Sequence, residues 1–113
     1  MIFVIDDDFT MAKCIASAAK KETRIFSNAI EAMDALDVEM PKLIFLDILL
    51  TGPDGFTFLN ELISYSDTAR IPIVIVSSLD FSGKDLSSYG VVGILKKDTM
   101  TPDEIKGYAD EYA

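Results

Sequence analysis

The chain has 113 residues, half of them hydrophobic, and a formal net charge of −9 from 10 basic and 19 acidic side chains. That balance argues against direct nucleic-acid binding, which needs a basic footprint. With no His and one Cys, Ser-His-Asp catalysis, Cys-His catalysis and a structural zinc site are excluded within the chain. No apolar run reaches the ~18 residues of a membrane span, and residues 1–5 lack the basic leader of a signal peptide. A single domain over 1–113 is expected. Cys14 permits no internal disulfide, which points to a cytoplasmic setting; beside Ile15 in a helical stretch it reads as a small packed thiol.

Residues 2–5 form a continuous apolar run, the mark of a strand buried on both faces, and it ends in Asp6-Asp7-Asp8. Asp8 or Thr10 then caps a predicted helix running to about Lys20, with Met11, Ile15, Ala18 and Ala19 on one face. Residues 24–26 read as a second strand, ended by Ser27-Asn28. Ser27 can cap the next helix, whose Ile30, Met33 and Leu36 recur at i, i+3, i+6. The third strand, 43–46, ends in Asp47. A Gly-Pro-Asp-Gly turn closing at Asp54-Gly55 leads into a helix carrying Phe56, Leu59, Leu62 and Ile63. The fourth strand, 73–76, ends in Ser77-Ser78 and is followed by a weak helical stretch, 83–89. The fifth, 93–95, runs into Lys96-Lys97-Asp98. Thr101-Pro102-Asp103-Glu104 reads as N-cap, first-position proline and first-turn acids, with Ile105, Tyr108 and Tyr112 on one face beyond.

Strand and helix alternating five times predict an α/β fold with a parallel sheet. Right-handed crossovers make it doubly wound, helices on both faces, with 2-1-3-4-5 the common five-strand order. Ligands of such sheets bind beyond the carboxyl ends of the strands at the switch point. There Asp6 and Asp7 would face Asp47, with Ser77 and Lys97 from the next two strands. Clustered carboxylates require a cation, and Mg²⁺ suits an all-oxygen set. A hydroxyl and an ammonium suit phosphoryl oxygens, and a carboxylate can accept a phosphoryl group. The constellation reads as metal-assisted phosphoryl transfer. Asp8 reads as a cap standing beside the site rather than in it.

V-I-D-D-D at 4–8, L-I-F-L-D-I-L-L-T-G-P-D-G-F at 43–56, I-P-I-V-I-V-S-S at 71–78 and G-V-V-G-I-L-K-K-D at 90–98 together resemble the receiver domain of two-component response regulators, over nearly the whole chain. The resemblance implies a flavodoxin-like receiver fold. It implies that Asp47 accepts a phosphoryl group from a histidine kinase or histidine phosphotransfer protein, which supplies the missing His. It further implies that Asp6, Asp7, Asp47 and the Leu49 backbone carbonyl hold Mg²⁺, and that Ser77 and Lys97 bind the phosphoryl group. The chain would signal through phosphorylation-dependent contacts with a downstream protein, as a phosphoacceptor rather than an enzyme. Leu49 and Leu79, two positions beyond Asp47 and Ser77, would border the path of the hydrolytic water. Being apolar they would exclude it, so slow dephosphorylation is expected.

The chain departs from the family pattern in places. Asp98 stands where proline usually follows the lysine, so a trans bond is expected there. Ile94 replaces the usual switch aromatic of the fifth strand, Ser78 a small residue and Thr51 a proline. Segments 8–22 and 78–96 are short, so clipped helices are expected. Two other readings remain open. One is a receiver-like interaction module that works without phosphorylation. The other is a minimal haloacid-dehalogenase-type phosphatase, since Asp6-Asp7-Asp8-Phe9-Thr10 fits D-x-D-x-T with Asp6 as nucleophile. The sequence does not distinguish a stand-alone receiver from part of a longer regulator.

Overall fold

In the computed structural model, which describes residues 1–48, 55–79 and 86–113, the apolar runs become five parallel strands: β1 (Ile2–Ile5), β2 (Thr23–Phe26), β3 (Leu43–Asp47), β4 (Ile73–Ser77) and β5 (Val91–Lys96). Their order is 2-1-3-4-5, as the alternation of elements requires. Among the described residues the helices are α1 (Phe9–Ala19), α2 (Ala29–Leu36), α3 (Gly55–Ile63) and α4 (Pro102–Tyr112). The sheet, its order and the helices on both faces are therefore as the sequence implies.

Side chains alternate across a strand, and both faces of this sheet are buried. Phe3, Ile5, Ile44, Leu46, Ile73 and Ile75 face α2 and α3, with Phe58, Leu59 and Leu62 packed on them. Ile2, Val4, Leu43, Phe45, Val74 and Val76 face α1 and α4, which contribute Ile15, Ala19, Ile105 and Ala109. β1, β3 and β4 are buried at every position, which is why their sequences show no polar alternation. A one-residue irregularity lies between Ile73 and Val74, opposite Val91 and Gly93 on the edge strand β5.

The caps explain where the helices start. Asp8 accepts a hydrogen bond from the Met11 N–H and begins α1. Lys20 closes that helix with φ 56°. Thr101 and Glu104 form a reciprocal capping box at α4, with Pro102 inside it. At α2 the cap is Asn28, which accepts from the Glu31 N–H, not Ser27. Both residue types cap well. The inner face of α2 is Ala29, Ala32, Ala35 and Leu36, while Ile30 is 59% exposed. Alanines let α2 approach the sheet closely, so small residues rather than the larger Ile30 form its contact. Ile63 is exposed at the end of α3, and Cys14 is exposed rather than packed.

A 3-10 turn at Ser87–Tyr89 precedes Gly90, whose φ of 80° favours glycine. Residues 83–85 of the expected helical stretch 83–89 lie outside the described residues, as do Leu49, Thr51 and Asp54. No described helix is long and apolar enough to cross a membrane. Gly93 on β5 leaves room for Tyr108 of α4, whose ring would collide with any Cβ there.

Candidate functional site

The ends of β1, β3, β4 and β5 converge as the switch-point argument requires. The β1–β3 register sets Ile5 beside Leu46, so Asp6 and Asp47 leave adjacent strand ends. One carboxylate oxygen from each of Asp6, Asp7 and Asp47 lies within 4.8 Å of the others. Asp6 is 2% exposed and Asp47 is buried, while Asp7 faces solvent. Lys97 enters from the turn after β5. Its Nζ donates to Asp47 Oδ2 at 3.2 Å and stands 3.1 Å from Asp6 Oδ2. That turn is held by hydrogen bonds from the Thr99 and Met100 N–H groups to the Lys96 carbonyl. The Lys97–Asp98 bond is trans, since no cis peptide occurs among the described residues.

Asp6 is fixed from its other side as well. Its Oδ1 accepts the Asp8 N–H at 2.9 Å, so the triple acid folds into a small turn. Its Oδ2 is fully buried and has no aligned hydrogen bond; the Lys97 contact is an ion pair without hydrogen-bond geometry. Burial raises the Asp6 carboxyl above its ordinary range, and the Asp47 charge adds to this. The Asp8 amide and Lys97 pull the other way without cancelling it. For Lys97, burial alone would lower the ammonium, but the close contacts with the Asp6 and Asp47 carboxylates outweigh it and raise it.

Ser77 is completely buried. Its Oγ accepts the Leu79 N–H at 3.1 Å, and its carbonyl accepts the Lys97 N–H at 2.9 Å. Hydroxyl and ammonium are therefore set on neighbouring strands by one backbone bond. Leu79 lies beyond them, 49% exposed. Ile94 is partly buried against the α2/α3 core. Asp8 is engaged as the α1 cap, accepting the Met11 N–H through Oδ1.

Two features of the site are not visible in the local sequence. Lys97 bridges both buried acids, which only the β4–β5 register reveals. Gly55, legible only as a turn glycine, donates its N–H to the Ile48 carbonyl at 3.0 Å, and its Cα lies against the backbone that follows Asp47. The donor set suits a hard divalent cation: three convergent carboxylates, one with a buried oxygen that accepts no hydrogen bond.

The family of response regulator receiver domains matches residues 2–109. The chain belongs to that family. It is 31% identical over 85 residues to the response regulator PleD of Caulobacter vibrioides, covering 73% of this chain and 19% of PleD. It is 32% identical over 107 residues to a protein-glutamate methylesterase/protein-glutamine glutaminase of Pseudomonas syringae, covering 87% of this chain and 29% of that protein. The receiver thus spans about a fifth to a third of the curated relatives it matches. Among solved structures, the receiver domain of NtrX from Brucella abortus superposes with a TM-score of 0.84 at 26% identity, covering 99% of this chain and 97% of that one. The phosphorylated cyanobacterial phytochrome response regulator RcpA matches in fold with the same TM-score at 24% identity, over 98% and 91% of the two chains. Receivers of this family interact with histidine kinases or phosphotransfer proteins and with downstream targets, and they bind Mg²⁺ at an acidic pocket. Asp6, Asp7 and Asp47 form an acidic pocket here.

Proposed function

We propose that Asp47 is the phosphoacceptor of this receiver, and that residues 1–113 act as one phosphorylation unit in the cytoplasm. The observation that carries this is the Lys97 ammonium hydrogen-bonded to a buried Asp47, between Asp6 and the strand bearing the buried Ser77 hydroxyl. An Asp47 carboxylate oxygen attacks phosphorus of a phosphohistidine on the kinase or phosphotransfer protein. The P–N bond breaks, and its electron pair returns to the imidazole, which takes up a proton. Lys97 and the Ser77 O–H then bind the phosphoryl oxygens. Asp6, Asp7 and Asp47 would hold Mg²⁺, which would supply charge neutralisation at the phosphoryl group. A relative in fold, the response regulator Rcp1, has been solved with Mn²⁺ bound. The fourth expected ligand, the Leu49 carbonyl, lies outside the described residues.

Hydrolysis of phospho-Asp47 requires water to reach phosphorus in line. Leu79 flanks Ser77 with an apolar side chain that can orient no water, which supports slow decay and a lasting signal; Leu49 is assigned the same role.

Incubation with Mg²⁺ and acetyl phosphate, followed by peptide mass spectrometry, tests the proposal. One phosphoryl group on Asp47, absent in Asp47→Asn, is expected. No adduct would favour the phosphorylation-independent module, and an adduct on Asp6 the phosphatase reading.

A further inference from the structure

Of the apolar residues spaced along α2, Leu36 is buried and Met33 packs partly against the core, while Ile30 is exposed. Ile30 and Met33 recur at helical spacing, yet α2 packs on the sheet through its alanines. Ile30 and Met33 instead form one wall of a hollow between α2 and α3, about 210 Å³, with Phe58 at its base. Asp34 of α2 and Glu61 of α3 also line it. A second hollow of about 250 Å³ continues it and shares Met33 and Asp34. That end is bordered by Asp37 and Asp67, with Tyr65 exposed beside them. The two hollows adjoin at Met33 and Asp34; the first is mainly apolar, the second mixes polar and apolar surface, and four carboxylates border them. Among the described residues, none of the chain's lysines or arginines lines either part.

We propose that this α2/α3 groove docks a basic amphipathic helix of a protein partner. The charge pattern selects the occupant. Four carboxylates around apolar side chains repel an acidic or a like-charged surface, including a second copy of this −9 chain. A segment with leucine-like residues at i, i+3, i+4 and i+7 and Lys or Arg between them satisfies both floor and rim. The eight residues of α2 and nine of α3 give a groove about 12 Å long at 1.5 Å per residue, which matches about two turns of a guest helix. The surface lies on the sheet face opposite α1 and α4, so occupancy does not require access to Asp47.

The test uses the intact protein and a fluorescein-labelled 12-residue peptide of leucine at those positions and lysine elsewhere, read by fluorescence anisotropy. Micromolar binding is expected, with a Glu/Leu counterpart binding at least tenfold more weakly. Asp34→Asn with Glu61→Gln should weaken binding at least tenfold. Asp103→Asn with Glu111→Gln, an equal charge loss on exposed positions of α4, should change it less than twofold. Ile30→Glu is the decisive variant. Residue 30 is exposed, so folding should survive, and circular dichroism verifies this. The added acid would strengthen any merely electrostatic attraction, whereas loss of the apolar wall should weaken groove docking at least fivefold. Equal losses in the two charge-neutralised pairs, tighter binding by Ile30→Glu, or no binding of the Lys/Leu peptide overturns the proposal. So does sedimentation showing a dimer that Ile30→Glu dissociates, which would make a second copy the occupant.

Discussion

Gly55 and Ile48 touch backbone to backbone: a Cβ built on Gly55 would lie 2.6 Å from the Ile48 Cα and 3.1 Å from the Asp47 carbonyl oxygen. The start of α3 is thereby seated on the peptide that follows Asp47. Gly→Ala inside a helix ordinarily gains up to about 1 kcal/mol. Here the atom in the way is main chain, which cannot swing aside, so overpacking wins. Gly55→Ala should lower stability by about 1–3 kcal/mol, a fall in Tm of several degrees. It should also slow phosphorylation of Asp47 by acetyl phosphate. A variant with unchanged Tm and rate would show that the two segments are not rigidly joined.

Lys97 is the counter-ion of two buried acids, and its side chain is only 19% exposed. Lys97→Ala would leave Asp6 and Asp47 facing each other without it. Removing one partner of a buried pair costs on the order of 3 kcal/mol, so the metal-free variant should melt well below the wild type. Mg²⁺ should restore more stability to the variant than it adds to the wild type, because the cation then replaces the ammonium. Thermal melts in EDTA and in Mg²⁺ check both parts.

Millimolar Mg²⁺ should raise the Tm of the wild-type protein, since a ligand at a hundred times its Kd adds about 2.7 kcal/mol. Asp7→Ala or Asp47→Ala should abolish the rise. No shift in the wild type would refute the cation site.

The pH dependence of the metal-free protein should carry the sign set by Asp6. Burial raises its folded pKa above the ordinary 3.8, so in that window the folded state binds the proton more tightly than the unfolded chain. Its contribution is present at low pH and is lost as pH rises through the folded value. In EDTA, Tm should therefore rise as pH falls through the raised folded value toward 3.8, and Asp6→Asn should flatten that trend. Asp110, held below its usual value by Lys106, loses its contribution only below about 3.8 and does not interfere. With Mg²⁺ the trend should reverse, because the cation binds the carboxylate.

Leu79 offers a kinetic test. Replacing this exposed side chain with Gln or Glu should admit and orient water and speed the decay of phospho-Asp47 severalfold, most strongly together with Leu49→Asn. A decay rate unchanged in the double variant would sink the proposed water-excluding role.

What could be read from the sequence follows from the range of each interaction. The strands were legible because both sheet faces are buried, so Ile2–Ile5 and Leu43–Leu46 carry unbroken apolar runs. Asp6, Asp7 and Asp47 were legible because strand order alone brings their elements together. The buried face of α2 was not, because alanine carries little hydropathy signal and Ile30 drew the assignment. Cys14 misled for a similar reason: a small apolar-like residue beside Ile15 turns outward once Ala12, Ile15 and Ala19 define the inner face. The bridge from Lys97 to Asp6 spans most of the chain and depends on β5 register, which no local pattern encodes.

The irregularity at the start of β5 bears on how such a chain tolerates change in length. It sits between Ile73 and Val74, while the far end of the same pair runs in regular register to Ser77 and Lys96. The extra residue, Val92, is absorbed where the edge strand enters the sheet, five positions before Lys97. Shortening the connection after β4 can therefore be accommodated at one end of the ladder without moving the hydroxyl and the ammonium at the other. The edge strand acts as a slack length of chain, and a deletion of Val92 that leaves Asp47 phosphorylation intact would be its signature.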